Sequence, residues 1–273
     1  MGFQLPELYN YIDGGISRPT VERGNCLRNP NTREVLQEQL SCSPEQAETA
    51  LATADQAWRD GAWERTYAAQ RAEVLENIAE QLENPDTAER MAVADAITTG
   101  AVINVTRRMA SLTPFVFRHA ANYIRQGGLE CKLDGPRGEV EYFRRPWGPA
   151  LLVSPWNGPT AIGSHKIASA LAAGAPCIVK PSEWAPHSAL VMADIIHSMS
   201  LPRGTFQLTC GSRQVGSQMV SDPRIKSISF TGGVAGGRII AQSCASQFKP
   251  LQLELGGNNP LVVLEDADLE LAA

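Results

Sequence analysis

A single carboxylate closes one of the apolar segments of this chain. Glu254 ends the run LQLE and is followed by Gly256 and Gly257. Strand interiors disfavour Glu, and paired glycines after a strand let the backbone approach a ligand closely. Glu254 is therefore either a structural group with satisfied hydrogen bonds or a general base placed where water can reach it.

Similar polar groups follow other strand-like runs of the same half of the chain. They supply an amide, an ammonium group, hydroxyls, carboxylates and glycine N–H groups, in the segments Ser154-Pro155-Trp156-Asn157, Lys180-Pro181-Ser182-Glu183 and Phe230-Thr231-Gly232-Gly233. Ligands of open α/β sheets bind beyond the carboxyl ends of the strands. We therefore expect these groups to share one edge of a sheet.

Each of these groups also has a plainer explanation. Asn157 could close an Asx turn, and Lys180 with Glu183 could form an exposed ion pair worth less than about 1 kcal/mol. The glycines of FTGGVAGG could be a flexible turn, since one glycine-rich loop is a weak signal. Because all of them stand at strand ends, the functional interpretation is favoured for the set.

The elements that would position these groups alternate between strands and helices. Strand-like runs are PALLVSPW, PCIVKPS, TFQLTC, IKSISFTG, PLQLEL and, beyond them, NPLVVLED; helix-like segments cover residues 162–173, 188–199, 212–221 and 233–247. Short strands that alternate with helices predict βαβ units. The predicted fold class is α/β, with a doubly wound, Rossmann-like parallel sheet of the nucleotide-binding type.

The first half of the chain has a different pattern. Residues 1–40 carry turn and strand signals, and Ser43-Pro44-Glu45-Gln46 is a helix start with a capping box. Apolar spacing predicts helices over residues 43–58, around 75–82, over 87–99 and over 102–126. A hairpin follows at 129–147. We expect an N-terminal helical part at 1–128, a projecting hairpin for assembly at 129–147, and a nucleotide-binding part at 148–273.

Composition excludes several classes of function. The formal net charge is −5, which argues against nucleic acid or an anionic membrane as the main partner. No apolar run is long enough to cross a bilayer, and the first residues do not resemble a signal peptide. The six cysteines form no CxxC pair and the four histidines are dispersed, so no metal site is expected. A cytoplasmic location is the prediction.

The order and spacing of five motifs resemble the aldehyde dehydrogenase superfamily. They are RRPWGP at 144–149, SPWN at 154–157, GAPCIVKPSE at 174–183, SFTGGVAGGR at 229–238 and ELGGNNPLVVLEDADLE at 254–270. The set is far more specific than any one motif. The segment before them fits the N-terminal layout of that family more loosely, so the resemblance extends over nearly the whole chain.

The resemblance implies roles for individual residues. Asn157 matches the oxyanion-hole asparagine, and Glu254 matches the glutamate that activates water to hydrolyse a thioester. Lys180 and Glu183 match the pair that holds the adenosine ribose, which favours NAD over NADP because a carboxylate repels a 2′-phosphate. The other cofactor-binding residues that the resemblance implies are Ser154, Pro155, Trp156, Ser182, Gly216, Phe230, Thr231, Gly232, Gly233, Gly237, Leu255 and Gly256.

Two positions depart from the pattern of the family. Gly233 replaces a serine that commonly faces the phosphate, so one cofactor contact is expected to be lost or made by water. Gly158 replaces an aromatic residue that often lines the substrate entrance. A wider entrance that tolerates bulky aldehydes is the resulting hypothesis.

A third departure concerns the nucleophile. The family cysteine lies beyond the matching glutamate in a separate catalytic domain, and this sequence ends at Ala273 before reaching it. Cys177 and Cys244 are predicted to be packing thiols, and Cys210 stands at a strand end without a group nearby that would lower its pKa. The chain is therefore expected to carry an incomplete active site.

Three explanations of this incomplete site stay open. The chain could be one part of an aldehyde dehydrogenase whose catalytic domain is a second polypeptide, a non-catalytic dinucleotide-binding module, or a shortened piece of a longer enzyme. A CoA-acylating relative is a further alternative, but retention of Glu254 favours hydrolysis. Apolar residues near 262–264 would be exposed, so a catalytic-domain polypeptide or self-association is expected, with a small aldehyde as substrate.

Overall fold

Four short strands precede the first helix of the chain. The computed structural model describes residues 5–272, so the first four residues of the segment 1–40, for which turn and strand signals were predicted, lie outside the described part. Strands β1 (Asn10–Ile12) and β2 (Gly15–Ser17) join the main sheet, whereas β3 (Val21–Arg28) and β4 (Val35–Ser41) form a separate antiparallel pair. The part of the chain before residue 129 therefore contains strands as well as helices.

The four predicted helices of the first half are all present. The Ser43 hydroxyl accepts a hydrogen bond from Gln46 N (3.2 Å), and Gln46 Oε1 accepts one from Ser43 N (3.0 Å), which confirms the capping box. Gly61 ends the first helix in the left-handed conformation, and Asn84 caps the start of the third. The helices are α1 (Pro44–Asp60), α2 (Ala68–Glu83), α3 (Pro85–Thr99) and α4 (Ile103–Arg125).

The predicted hairpin projects from the main sheet. Strands β5 (Glu130–Gly135) and β6 (Gly138–Phe143) pair only with each other, and every residue of β6 is exposed. A hairpin with both faces in solvent contributes little core, since isolated two-stranded ribbons are marginally stable. Its role in assembly, and the division of the chain at residues 128 and 147, stay predictions.

The second half alternates strands and helices, as its sequence predicts. Its elements are β7 (Ala150–Val153), α5 (Pro159–Ala173), β8 (Cys177–Lys180), α6 (His187–Ser198), β9 (Phe206–Leu208), α7 (Arg213–Ser221), β10 (Ser227–Thr231), α8 (Val234–Ala245), β11 (Leu251–Glu254) and the short α9 (Leu269–Ala272). The strands run parallel from β11 to β9, and β1 and β2 add an antiparallel edge. The predicted doubly wound α/β fold is confirmed.

The strand order is β11-β10-β7-β8-β9-β1-β2. From β7 the chain continues to β8 and β9 on one side, and later to β10 and β11 on the other. The order therefore reverses between β7 and β10. In sheets of this kind the crevice beyond the carboxyl ends of the strands at that reversal binds ligands.

Both faces of the sheet are covered by helices. Leu151 and Ile178 point to one face, into a core with α1, α7 and α8, and are fully buried. Leu152 and Val179 point to the other face, into a core with α5 and α6 and with α2, α3 and α4 outside them. The alternation of successive strand residues between two apolar layers explains why these strands read as continuous apolar runs.

One predicted strand is wrong. The run NPLVVLED forms no strand: residues 255–264 have no regular structure. Its side chains are not covered either, since Leu261 and Val262 are 81% and 73% exposed. A strand needs a neighbour that pairs with its N–H and C=O groups. Within residues 5–272 no strand lies beside this run, so its apolar sequence alone does not make it extended.

A buried carboxylate fixes the start of α5, beside Asn157. Gly158 precedes α5 without a side-chain cap, and Asp95 of α3 supplies an acceptor instead, since its Oδ2 accepts from Thr160 N at 3.3 Å. Asp95 is only 4% exposed. Burial raises the pKa of Asp95 to about 6, although hydrogen bonds from Thr160 and Ser188 oppose the shift.

The pKa of Asp95 predicts a pH-dependent cost of folding. Asp95→Asn retains an acceptor but cannot ionise. Because the folded-state pKa is raised from 3.8 to about 6, wild-type stability falls as pH rises through this window. The free energy of unfolding of the variant minus that of wild type, measured by urea denaturation, should therefore increase by about 2 kcal/mol between about pH 4 and about pH 7.

Glu80→Gln, on an exposed position of α2, controls for the loss of one negative charge. A difference between Asp95→Asn and wild type that stays constant across this range would contradict the assignment of a raised pKa to Asp95.

Candidate functional site

A cavity of about 1320 Å³ opens beyond the carboxyl ends of β7, β8, β10 and β11. The structure brings fifteen of the sixteen residues singled out in the sequence to its wall. They are Ser154, Pro155, Trp156, Asn157, Lys180, Ser182, Glu183, Gly216, Phe230, Thr231, Gly232, Gly233, Glu254, Leu255 and Gly256. The expectation that these strand ends share one edge of the sheet therefore agrees with the structure.

Gly237 is the predicted residue that does not line this cavity. It is buried inside α8, where a Cβ would lie 2.5 Å from Leu255 Cδ2. A side chain at this position would therefore displace the side chain of Leu255. The residues of α8 that line the cavity are Ala235, Gly236, Ile239, Ile240 and Ser243.

Asn157 presents a free carboxamide at the turn between β7 and α5. The alternative of an Asx turn needs the N–H two residues further along, and residue 159 is a proline without one. Asn157 is exposed, and no side-chain hydrogen bond is found for it within residues 5–272. Its NH₂ group is therefore available to an oxygen atom in the cavity.

Glu254 stands at the last position of β11, where it pairs in register with Thr231 of β10. Its main-chain oxygen accepts from Gly232 N at 3.0 Å, whereas its side chain is exposed at the cavity wall. Because the Glu254 side chain is exposed and lines the cavity, water can reach it.

The start of α8 has the features of an anion site. Gly233 precedes the helix and offers no side-chain cap, so N–H groups of the first turn are left without helical partners. A Cβ at Gly233 would meet no atom within 4 Å. Nearby in the wall, the buried hydroxyls of Ser154 and Thr231 have no hydrogen-bond partner. Free N–H groups, a helix dipole and unpaired hydroxyls suit a phosphate.

Lys180 and Glu183 do not form the exposed pair that the sequence left open. The Lys180 side chain is 5% exposed, and its Nζ lies 3.8 Å from Glu183 Oε2. Burial lowers the pKa of Lys180, and the charge of Glu183 opposes that shift. Arg23 of β3 also contacts Glu183, since its Nη1 lies 3.4 Å from Glu183 Oε1. Lys180 is buried and Glu183 is only 21% exposed at the cavity wall. Solvent therefore screens their charges from a ligand less than it would screen an exposed pair.

Sequence reasoning missed Lys166. This lysine of α5 is 7% exposed, lines the cavity, and donates to Ser229 Oγ at 2.6 Å, while Ser229 donates to Gln252 Oε1 at 2.5 Å. Burial lowers the pKa of Lys166 to about 8, and the negative charge of Glu254 opposes the shift. The available signal was a lysine inside an otherwise apolar helix.

The cysteines lie away from this chemistry. Burial raises the pKa values of Cys42, Cys177 and Cys210 to about 12, and the charge of Lys180 only partly offsets the effect at Cys210. Burial also raises the pKa of Cys244. No cysteine within residues 5–272 lines the cavity. A thiolate nucleophile is therefore not provided by the described cysteines.

The helices of residues 5–272 include none with the length and apolar character that a membrane span requires.

Comparison with solved structures shows the same fold in aldehyde dehydrogenases. A mutant of aldehyde dehydrogenase C from Pseudomonas syringae, in complex with NAD+ and octanal, matches with a TM-score of 0.87 and 33% identity over 98% of this chain and 54% of that one. Betaine aldehyde dehydrogenase from Staphylococcus aureus, in complex with NAD+, matches with a TM-score of 0.87 and 29% identity over 98% of this chain and 53% of that one.

Sequence comparison gives the same relatives. Geranial dehydrogenase of Castellaniella defragrans is 34% identical over 257 residues, which is 93% of this chain and 53% of that protein. Chloroplastic betaine aldehyde dehydrogenase of Amaranthus hypochondriacus is 29% identical over 283 residues, 100% of this chain and 56% of that protein. The chain thus spans about half the length of these relatives.

The model of the aldehyde dehydrogenase family matches residues 20–273. With the shared fold and the identity to its members, this match shows that the chain belongs to the aldehyde dehydrogenase family.

Proposed function

We propose that this chain is the NAD-binding part of an NAD-dependent aldehyde dehydrogenase that oxidises an aldehyde to a carboxylic acid. One observation carries the proposal. A free carboxamide (Asn157), an exposed carboxylate (Glu254) and an uncapped helix start (α8) face the same cavity at the strand-order reversal. The parts at 1–128, 129–147 and 148–273 and a cytoplasmic location belong to the same proposal.

The cavity wall fits a dinucleotide. The first turn of α8 would hold the pyrophosphate through its free N–H groups, and the unpaired hydroxyls of Ser154 and Thr231 would complete the contacts. Lys180 and Glu183 would bind the hydroxyls of the adenosine ribose, so NAD is the preferred cofactor. The bound dinucleotide supplies the oxidant for the aldehyde. Crystal structures of two relatives in complex with NAD+ support this assignment.

Asn157 would stabilise the negative charge that develops on the aldehyde oxygen. Its NH₂ group is not committed to a turn, because residue 159 is a proline. A donor that is already oriented toward the cavity stabilises the developing oxyanion without reorganisation, and loss of such a donor typically costs about 10²–10³-fold in kcat. Asn157 is therefore assigned as part of the oxyanion hole.

Glu254 would act as the general base for hydrolysis. It is exposed to the cavity, so a water molecule can reach its carboxylate. Resolution of the acyl intermediate by CoA would not need this base, which favours water over CoA.

The nucleophilic cysteine would come from polypeptide outside the described residues, either a continuation of this chain or a second chain. Cys177 and Cys210 have pKa values of about 12 and remain protonated thiols near neutral pH. Apolar side chains at Leu261 and Val262 are exposed and would contact that polypeptide or a second copy.

The substrate would be an aldehyde, and the entrance would tolerate bulky aldehydes as well as small ones. Gly158 has no side chain that could narrow the approach to the neighbouring Asn157, and a Cβ there would make an ordinary contact with Ile162 Cδ1 at 3.5 Å. Octanal is bound by the Pseudomonas syringae relative, and another relative is a geranial dehydrogenase. Both substrates are larger than the smallest aldehydes, in agreement with an open entrance.

The role of Glu254 predicts a separation of two kinetic phases. In the enzyme with its nucleophile, Glu254→Gln retains the shape of the side chain but cannot accept a proton. The first turnover, measured as a rapid burst of NADH, should keep its rate, while steady-state kcat should fall by about 10²-fold or more.

Glu265→Gln, beyond β11, is the matched control and should leave both phases unchanged. Equal loss of the burst and of the steady state in Glu254→Gln would contradict the role of Glu254 in hydrolysis. A native protein that binds NAD+ but oxidises no aldehyde, at the mass of a single 29.5 kDa chain, would instead favour a non-catalytic binding module.

The environment of Lys166 predicts a titration near neutral pH. The Lys166 side-chain resonance, assigned by its loss in Lys166→Met, should titrate with a midpoint near 8 in wild type. Glu254→Gln should move the midpoint lower, because the charge that raises the Lys166 pKa is gone. Glu265→Gln should leave it in place. A midpoint at the ordinary lysine value in wild type would contradict the assignment.

A further inference from the structure

A second cavity lies between the start of α2, the end of α4 and the hairpin. Its volume is about 350 Å³, and it borders the first cavity at Arg145 and Ala173, which line both. This volume falls within the range of about 300–1,000 Å³ that is usual for small-molecule sites. None of the residues assigned to the dinucleotide lines it, so its chemistry calls for a separate ligand.

The wall of the second cavity carries an excess of positive charge. Its charged residues are four arginines and two glutamates, Arg65, Arg71, Arg144, Arg145, Glu64 and Glu130, which gives a formal balance of +2. Glu64 is already paired, because its Oε1 lies 2.6 Å from Arg145 Nη1. Within residues 5–272, neither Arg71 nor Arg144 has a carboxylate oxygen within 4.0 Å. The wall is therefore suited to an anion with about two negative charges.

Arg71 is the buried cation of this wall. It is 6% exposed, and its Nη1 donates to the main-chain oxygens of Glu64 at 2.9 Å and of Thr66 at 2.7 Å. Its buried Nε has no hydrogen-bond partner, and Nη2 makes no hydrogen bond in the described part of the chain. Burial lowers the pKa of Arg71, and the charges of Glu64 and Glu130 oppose that shift only in part. The Nε–Nη2 edge is thus left for two oxygens of a ligand, the arrangement in which a guanidinium binds phosphate.

The start of α2 adds main-chain donors to the same cavity. Tyr67 precedes the helix without a side-chain cap, and the first turn contains no acidic residue. The N–H groups of Gln70 and Arg71 donate to Tyr67 O at 3.0 and 3.1 Å, whereas those of Ala68 and Ala69 make no hydrogen bond within residues 5–272. Because α2 has 16 residues, its dipole also favours an anion here. Free N–H groups and an incompletely bonded guanidinium therefore meet at one cavity.

The remainder of the wall is apolar. Ile124 of α4 is buried, Leu129 is half-buried, and the rings of Tyr67 and Phe143 are exposed. These side chains can pack against a ring or a hydrocarbon chain, but they offer little to a bare inorganic ion. The cavity therefore combines a cationic end with an apolar side.

We propose that this second cavity binds a small phosphomonoester with an apolar or aromatic body, whose phosphate is held by Arg71 and by the free N–H groups at the start of α2. A phosphate monoester carries a charge of about −1.5 to −2 near neutral pH and three acceptor oxygens, which match the charge balance and the donors of the wall. A carboxylate carries a single charge and leaves part of that balance unmet. This site goes beyond the proposed dehydrogenase function and does not depend on it.

The test follows the main-chain N–H resonances of Ala68 and Ala69 in the full chain during titration with phenyl phosphate. These resonances should shift to saturation, and benzoate and inorganic phosphate should each bind about tenfold more weakly, since one lacks charge and the other lacks the ring. Arg71→Lys keeps the charge but loses the Nε–Nη2 edge, so it should raise the Kd of phenyl phosphate by about tenfold, as should Arg144→Ala. Arg137→Ala, at the exposed turn of the hairpin, is the matched control for a lost charge and should leave Kd unchanged.

The opposite results are equally distinct. Phenyl phosphate that shifts only the N–H resonances at the start of α8 would bind in the first cavity and overturn the inference. Equal weakening by Arg144→Ala and Arg137→Ala would reduce the binding to unspecific charge attraction, and benzoate as tight as phenyl phosphate would overturn the preference for phosphate. If Arg71→Lys lowers the Tm, the exposed Arg144 carries the comparison in a folded chain. None of these outcomes bears on the binding of NAD+ in the first cavity.

Discussion

Parallel register at the centre of the sheet is the constraint on which the site depends. Val153 of β7 pairs with Phe230 of β10 and with Lys180 of β8, and Thr231 of β10 pairs with Glu254 of β11. The four strands therefore end at nearly the same level. Since a slip of one residue turns every side chain of a strand to the opposite face, this register decides which groups reach the cavity.

The helices that follow the strands bring further groups to the cavity. Because the strand order reverses between β7 and β10, α5 and α8 leave the sheet on opposite faces and their starts border one crevice. α5 carries Asn157 at its approach and Lys166 within it, whereas α8 offers main-chain N–H groups. Asp95 secures the start of α5 from a third helix. The contact between α3 and the start of α5 thereby supports the segment that carries Asn157.

Local signals predict most of the fold and the polar groups after the strands, whereas other residues of the cavity wall, such as Gly216, were implied by the resemblance to the family. The capping box at Ser43, the proline after Asn84 and the apolar strand cores act within a few residues of the chain, so they can be read directly from the sequence. The run at 259–266 was misread as a strand because pairing depends on a neighbour that a sequence pattern does not reveal. Asn157 could be singled out because it lies in the short segment between β7 and α5.

Contacts between distant segments could not be predicted in this way. Arg23 is separated from Glu183 by 160 positions, and Lys166 from Ser229 by 63. Both cations lie close to residues of the candidate site, yet neither carries a motif of its own. Gly237 shows the opposite case, since it belongs to a glycine motif but serves packing against Leu255.

The central claim is that the strand ends around this reversal form a dinucleotide site, and the location of NAD+ in a crystal structure of the complex tests it most directly. The account predicts the pyrophosphate within hydrogen-bond distance of the N–H groups at the start of α8, and the adenosine ribose beside Lys180 and Glu183. A dinucleotide bound elsewhere on the chain, or an empty cavity in crystals grown with saturating NAD+, would contradict it.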